Sequence, residues 1–130
     1  MLKNESENSL HKTSEGIIVT DKIYTINEIQ KISIPIFKKY NIKKIYLFGS
    51  YAREEANENS DIDFLISNNN LTLFSLSALE NELIEVLKKD IDIITIETYT
   101  KQVDYNNIAD FYAKSIFYNN ILKDRRIIYE

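Results

Sequence analysis

Two short apolar runs stand at the centre of the chain. Residues 44–48 (KIYLF) are β-branched and aromatic and stop at Gly49, and residues 60–67 (SDIDFLIS) set acids at alternate positions among apolar side chains. Their length and residue types predict two buried strands. Between them, residues 51–55 suit a short helix and Asn57, Glu58 and Asn59 a polar turn, while Asn68, Asn69 and Asn70 close the second strand as a loop. Upstream, Ile26, Ile29, Ile32 or Ile34, and Phe37 form a helical stripe reaching about Tyr40. The stretch Thr25-Ile26-Asn27-Glu28 opens that helix in capping-box form. Pro35 falls inside the stripe and should kink the helix or split it in two. Downstream, Leu76, Leu79, Leu83, Val86 and Leu87 recur at helical spacing with Glu80, Glu82, Glu85 and Lys88 between them. This pattern predicts a core-facing amphipathic helix over 72–89.

Residues 90–96 read as a third strand, again with acids at alternate positions, Asp90 and Asp92. Strand, helix and strand in that order imply a right-handed crossover and therefore parallel second and third strands. A polar connection over 97–107 leads to a last helix over 108–123, whose buried side is expected to hold Ile108, Phe111, Tyr112 and Ile116. Ile127, Ile128 and Tyr129 suit a terminal strand or docking tail. Residues 1–20 lack a sustained apolar period and are expected to form a flexible arm with a short strand at 17–19. Residues 21–130 are then a single domain.

Composition narrows the function classes. The chain has 130 residues, enough for one core, with 44% hydrophobic residues and no cysteine, which excludes a disulfide framework and thiolate metal sites. No apolar run is long enough to span a membrane and the N-terminus lacks a signal-peptide core, so the expected location is the cytoplasm. A net charge of −4 argues against nonspecific nucleic-acid binding. His11, the one histidine, lies in the arm, where it is a poor candidate for a ligand or base.

The acids and the glycine carry chemistry. Side chains at i and i+2 of a strand share a face, which sets Asp61 and Asp63 roughly 6.5 Å apart on one surface. Like charges that close repel, and a divalent cation between them is the usual remedy. Gly49 permits close approach of a ligand to the backbone, and a helix start with the Ser50 hydroxyl can receive phosphate oxygens. A third carboxylate from a neighbouring strand would complete a two-metal arrangement; Asp92 fits, with Asp90 on the same face as the alternative. No second glycine follows Gly49 in P-loop spacing, Ile66 and Thr72 break an EF-hand reading, and without cysteines or a histidine pair a zinc hydrolase is excluded.

The run GSYAREEANENSDIDFLI resembles the signature of nucleotidyltransferases related to DNA polymerase beta, and most closely the minimal nucleotidyltransferases. The likeness extends over residues 24–130, through IDIITIE at 91–97 and the closing ILKDRRIIYE. It implies a small α/β (α+β in some schemes) domain, a mixed sheet flanked by helices. It also implies that Gly49, Ser50, Arg53 and Ser60 bind the nucleotide and that Asp61, Asp63 and Asp92 are catalytic and ligate Mg²⁺, two ions in all. The activity implied is transfer of AMP from ATP to a hydroxyl. Minimal members look like antitoxins that AMPylate a tyrosine of a HEPN-domain toxin, so a cognate HEPN toxin is the expected partner, and a homo-oligomer is compatible. Where family members commonly have glycine after the arginine, this chain has Glu54. That departure keeps open a member that neutralises its partner by binding alone; a transferase for a small-molecule hydroxyl is a third reading.

Overall fold

The computed structural model describes residues 10–67, 70–97 and 106–130. Residues 1–9 of the expected arm, Asn68 and Asn69 of the expected loop and residues 98–105 of the expected connection lie outside the described residues.

Helix α1 spans Ile26–Lys39 and begins as its sequence dictates: the Glu28 amide donates to Thr25 Oγ1 at 3.1 Å, and the Thr25 amide donates to Glu28 Oε1 at 2.9 Å. The reciprocal pair satisfies amides that the first helical turn leaves without partners. Pro35 does not split the helix, contrary to one of the two expected outcomes. It lies on the exposed side, where water can hydrate the carbonyl that its missing N–H releases.

Strands β3 (Ile45–Phe48) and β4 (Ile62–Ile66) pair antiparallel, with Phe48 opposite Asp63 and Leu47 opposite Phe64. The crossover helix α3 (Leu73–Leu87) then returns the chain to β5 (Ile91–Thr95), which runs parallel to β4 as expected. The last strand, β6 (Arg126–Tyr129), joins the other side of β3, giving a mixed sheet of order β5-β4-β3-β6.

One face of the sheet packs against α1 and α3. Ile29, Phe37, Ile45, Leu47, Ile62, Phe64, Ile66, Leu79, Leu83 and Leu87 are all fully buried there, and Phe37 meets Phe64 edge to face at 5.0 Å between ring centres. Each such side chain contributes about 1.5–3 kcal/mol on burial. The other face is covered more thinly, by a small cluster of Tyr46, Phe48, Leu65 and Ile121.

Ile121 comes from helix α4 (Ile108–Asp124), and here the expected buried side is corrected. Ile108 is 69% exposed, Tyr112 and Ile116 are each 60% exposed, and Phe111 is also exposed. The helix meets the sheet at its C-terminal end, so the apolar stripe of its first turns has no sheet beneath it. Val86, expected in the stripe of α3, is also exposed.

Residues 10–20 form a ribbon of β1 (Leu10–Lys12) and β2 (Ile18–Thr20), so the short strand expected at 17–19 has a partner strand that the apolar pattern did not announce. Thr13 Oγ1 accepts from the amides of Glu15 and Ile17, and Gly16, at φ 86°, makes the turn. The Thr20 amide donates to the Lys88 carbonyl at 2.8 Å and fastens the ribbon to the end of α3. Among the described residues no helix is long and apolar enough to cross a membrane.

Candidate active site

At the end of β3 the chain turns directly into the short helix α2 (Gly49–Ala52), anchored by the buried Tyr51 and Ala52. Gly49 is required twice over. Its φ is 73°, in the region L side chains avoid, and a Cβ there would overlap a carboxylate oxygen of Asp63 and lie 3.2 Å from Asp63 Cγ. Ser50 follows at the head of α2. The Gly-Ser pair and the acidic strand, separated by ten intervening residues, are thus brought into contact.

Asp63 stands between Phe48 on one side and Asp92 of β5 on the other, in direct register with both. By strand alternation it shares a face with Tyr46, Phe48 and Leu65, the face turned away from α1 and α3. Asp61 precedes β4 and is exposed, and Asp90 precedes β5; the Ile62 amide donates to the Asp90 carbonyl at 3.0 Å. Asp61, Asp63, Asp90 and Asp92 therefore meet at one end of the sheet.

Their titration reflects that crowding. Burial, then the charges of Asp92 and Asp61, push the Asp63 carboxyl up to about 7, while Arg53 pulls it back. Asp61, though exposed, is also raised, first by partial desolvation beside the sheet and then by Asp90 and Asp92. Asp92 thus acts on both Asp61 and Asp63, whereas Asp90 acts on Asp61, and this distinguishes two residues that sequence alternation left equivalent. Among the described residues no three of these side chains converge into a metal cage, although the backbone register brings Asp63 and Asp92 side by side. An all-carboxylate donor set suits a hard divalent cation, which would remove the cost of ionising Asp63.

Arg53 caps α2 and pairs with Glu55 at 3.2 Å and Asp124 at 3.5 Å, within electrostatic reach of Asp63. Ser60 is bound into the turn before β4, its Oγ accepting from the Asn57 amide at 2.9 Å. Glu54 does adopt the left-handed conformation, at φ 58°. Its carboxylate is turned toward Arg126, 3.9 Å away, and its side chain is largely exposed. The charges that act on Asp63 are Asp92, Asp61 and Arg53.

Two residues escaped the sequence reading. Glu80 of α3 is raised by burial and by Asp92, so its carboxylate lies close enough to sense the site; in the sequence it was one polar residue among several in an amphipathic helix. Lys89 is buried at the head of β5, and a lysine beside a strand carries no sequence signal of burial.

A sequence model described as polymerase beta nucleotidyltransferase matches residues 30–130. The chain belongs to the polymerase beta nucleotidyltransferase family. It is 30% identical over 122 residues to the protein adenylyltransferase MntA of Aphanizomenon flos-aquae, a match covering 85% of this chain and 72% of that protein. A Methanocaldococcus jannaschii protein provisionally named a protein adenylyltransferase is 46% identical over 71 residues, which cover 54% of this chain and 76% of the relative. Among solved structures, a chain of a toxin–antitoxin complex with AMP-PNP superposes with a TM-score of 0.58 at 19% identity, over 77% of this chain and 72% of that one. A chain of the complex of tri-AMPylated Shewanella oneidensis HEPN toxin with its MNT antitoxin gives 0.55 at 17% identity, over 81% and 72%. At those identities the superpositions bear on the fold, which is that of the polymerase-beta-like nucleotidyltransferases. Gly49, Ser50 and all four aspartates fall inside the stretch matched by the nucleotidyltransferase family.

Proposed function

We propose that this nucleotidyltransferase moves AMP from ATP to a hydroxyl of a protein partner, a tyrosine of a cognate HEPN toxin, and so serves as an antitoxin in the cytoplasm. The observation that carries the reading is the register of Asp63 beside Asp92, with Gly49 closed against the same carboxylate. The relatives named for protein adenylylation and for HEPN complexes support the acceptor class.

In this reading Gly49 and Ser50 receive the triphosphate through backbone N–H groups and the serine hydroxyl, with Arg53 released from its ion pairs toward phosphate and Ser60 contributing at the edge. Asp61, Asp63 and Asp92 would hold Mg²⁺, two ions at full occupancy, and the bound metal would supply polarisation of the α-phosphate and charge compensation for the attacking and leaving oxygens. The acceptor oxygen attacks the α-phosphorus, the bond to the β-phosphate bridging oxygen breaks, and pyrophosphate leaves. The acceptor's proton passes to a carboxylate oxygen of Asp92, which is exposed beside Asp63 at the end of the sheet. Glu54 does not oppose this chemistry, because its carboxylate is turned to Arg126.

The test is a mass measurement on a candidate HEPN partner protein after incubation with this chain, ATP and Mg²⁺. An AMP-sized increment on a tyrosine, lost with EDTA and lost in an Asp61→Ala, Asp63→Ala double variant, is the expected result. Tight binding with no change in mass refutes transfer and leaves neutralisation by contact.

A further inference from the structure

Lys89 is the one charged side chain buried among the described residues, at 2% exposure. Its placement begins one residue earlier. Lys88 ends α3 in the left-handed conformation, at φ 56°, and so turns Lys89 inward at the head of β5. From there Lys89 Nζ donates to the Glu58 carbonyl at 2.7 Å.

Glu58 lies in the turn that delivers Asp61. The turn's own bonds are local: the Asn59 amide donates to Asn57 Oδ1 at 2.8 Å, the Ser60 amide to the Asn57 carbonyl at 3.1 Å, and the Asn57 amide to Ser60 Oγ at 2.9 Å. They shape the turn without fixing it to the sheet. The Lys89 bond does that from one side of Asp61, and the bond from the Ile62 amide to the Asp90 carbonyl does it from the other. Consecutive residues of one strand head thus grip the chain on both flanks of Asp61. A cavity of about 120 Å³ at this junction is lined by Glu58, Ser60, Asp61, Lys89 and Asp90, with His11 of the ribbon at its rim.

An ammonium group in that position is costly compared with an apolar side chain of the same length. Burial pulls its pKa down, and the charges of Asp21 and Glu58 work the other way. Packing alone would be served as well by methionine. We propose that Lys89 is a positioning residue, tethering the turn over 57–60 so that Asp61 stands beside Asp63 in the geometry that Mg²⁺ and ATP require. The role rests on the proposed nucleotidyl transfer.

Calorimetric titration of the full chain with Mg²⁺ and AMP-PNP tests it without turnover. In Lys89→Met the affinity should fall about tenfold, the scale of losses when groups supporting metal ligands are removed, with the melting temperature of the ligand-free protein unchanged or higher. Lys89→Gln, neutral but able to donate to the same carbonyl, should retain most of the affinity; it also serves if the methionine variant folds poorly. In an Asp61→Asn background Lys89→Met should bring no further loss, since the residue it positions is already disabled. Unchanged affinity in Lys89→Met, or a full additional loss in the Asp61→Asn background, overturns the proposal. A wild-type protein that binds no Mg²⁺ and AMP-PNP overturns the functional reading itself, and the role of Lys89 with it.

Discussion

Replacing Asp63 by asparagine should make the metal-free protein more stable at neutral pH and inactive at every pH. Burial and the neighbouring carboxylates hold Asp63 at about 7 in the folded state, against about 3.9 in an unfolded chain. Between those values the native protein keeps a proton that the unfolded chain releases, so stability falls as pH rises from about 4 and the contribution is gone above about 7. A shift of about 3 units corresponds to at most about 4 kcal/mol. Water reaches this half-buried group and screens it, which reduces the expected effect to about 1–2 kcal/mol. For a chain of this length that is a difference of about 4–8 °C in melting temperature.

Thermal melts of wild type and Asp63→Asn across pH 4.5–8.5 in EDTA give the assay. The two should melt together near pH 4.5 and diverge as pH rises, the variant becoming the more stable and the gap levelling above pH 7. Asp61 and Glu80, also raised by their surroundings, titrate in both proteins and largely cancel in the difference. Millimolar Mg²⁺ should raise the wild-type melt at pH 8 and leave the variant nearly unmoved, because a cation removes the repulsion that asparagine never had. A difference independent of pH refutes the assignment of a crowded, cation-demanding carboxylate to this position.

Other expectations follow from single contacts. Gly49→Ala should cost at least about 2 kcal/mol, from a left-handed backbone and overlap with Asp63 together, and should abolish AMP-PNP binding in a calorimetric titration. Glu54→Gly removes about 1 kcal/mol of backbone strain but adds unfolded-chain entropy of similar size. Its melt should therefore stay within a few degrees of wild type and its transfer rate within about threefold; a tenfold faster variant would contradict the outward placement of Glu54. Ile116→Ser on the exposed side of α4 should change stability by about 0.5 kcal/mol or less, whereas Ile121→Ala, four-fifths of the way along the same helix, should cost about 2 kcal/mol or more in urea unfolding.

Much of this protein was legible before folding because the deciding forces are local. The capping box at Thr25 and Glu28, the strands over 44–48 and 60–67 and the apolar stripe of α3 each follow from neighbours a few residues apart, and the parallel return to β5 follows from the order strand, helix, strand. The Gly-Ser and Asp-x-Asp motifs were readable for the same reason, since their chemistry depends on residue type and short spacing. Tertiary structure decided what depends on distant partners. Alternation made Asp90 and Asp92 equivalent, and only the register of β5 on β4 set Asp92 beside Asp63. Periodicity grouped Ile108, Tyr112 and Ile116 on one stripe, yet burial requires an opposing surface, and α4 meets the sheet only near Ile121. Glu54 carried a conditional strain in the sequence that its φ of 58° makes actual. Its charge is set apart from the aspartates by where Arg126 arrives from the far end of the chain. Lys89 shows the limit most plainly: a lysine is by type a surface residue, and only the left-handed turn at Lys88 and the carbonyl of Glu58, thirty-one positions earlier, make it an interior one.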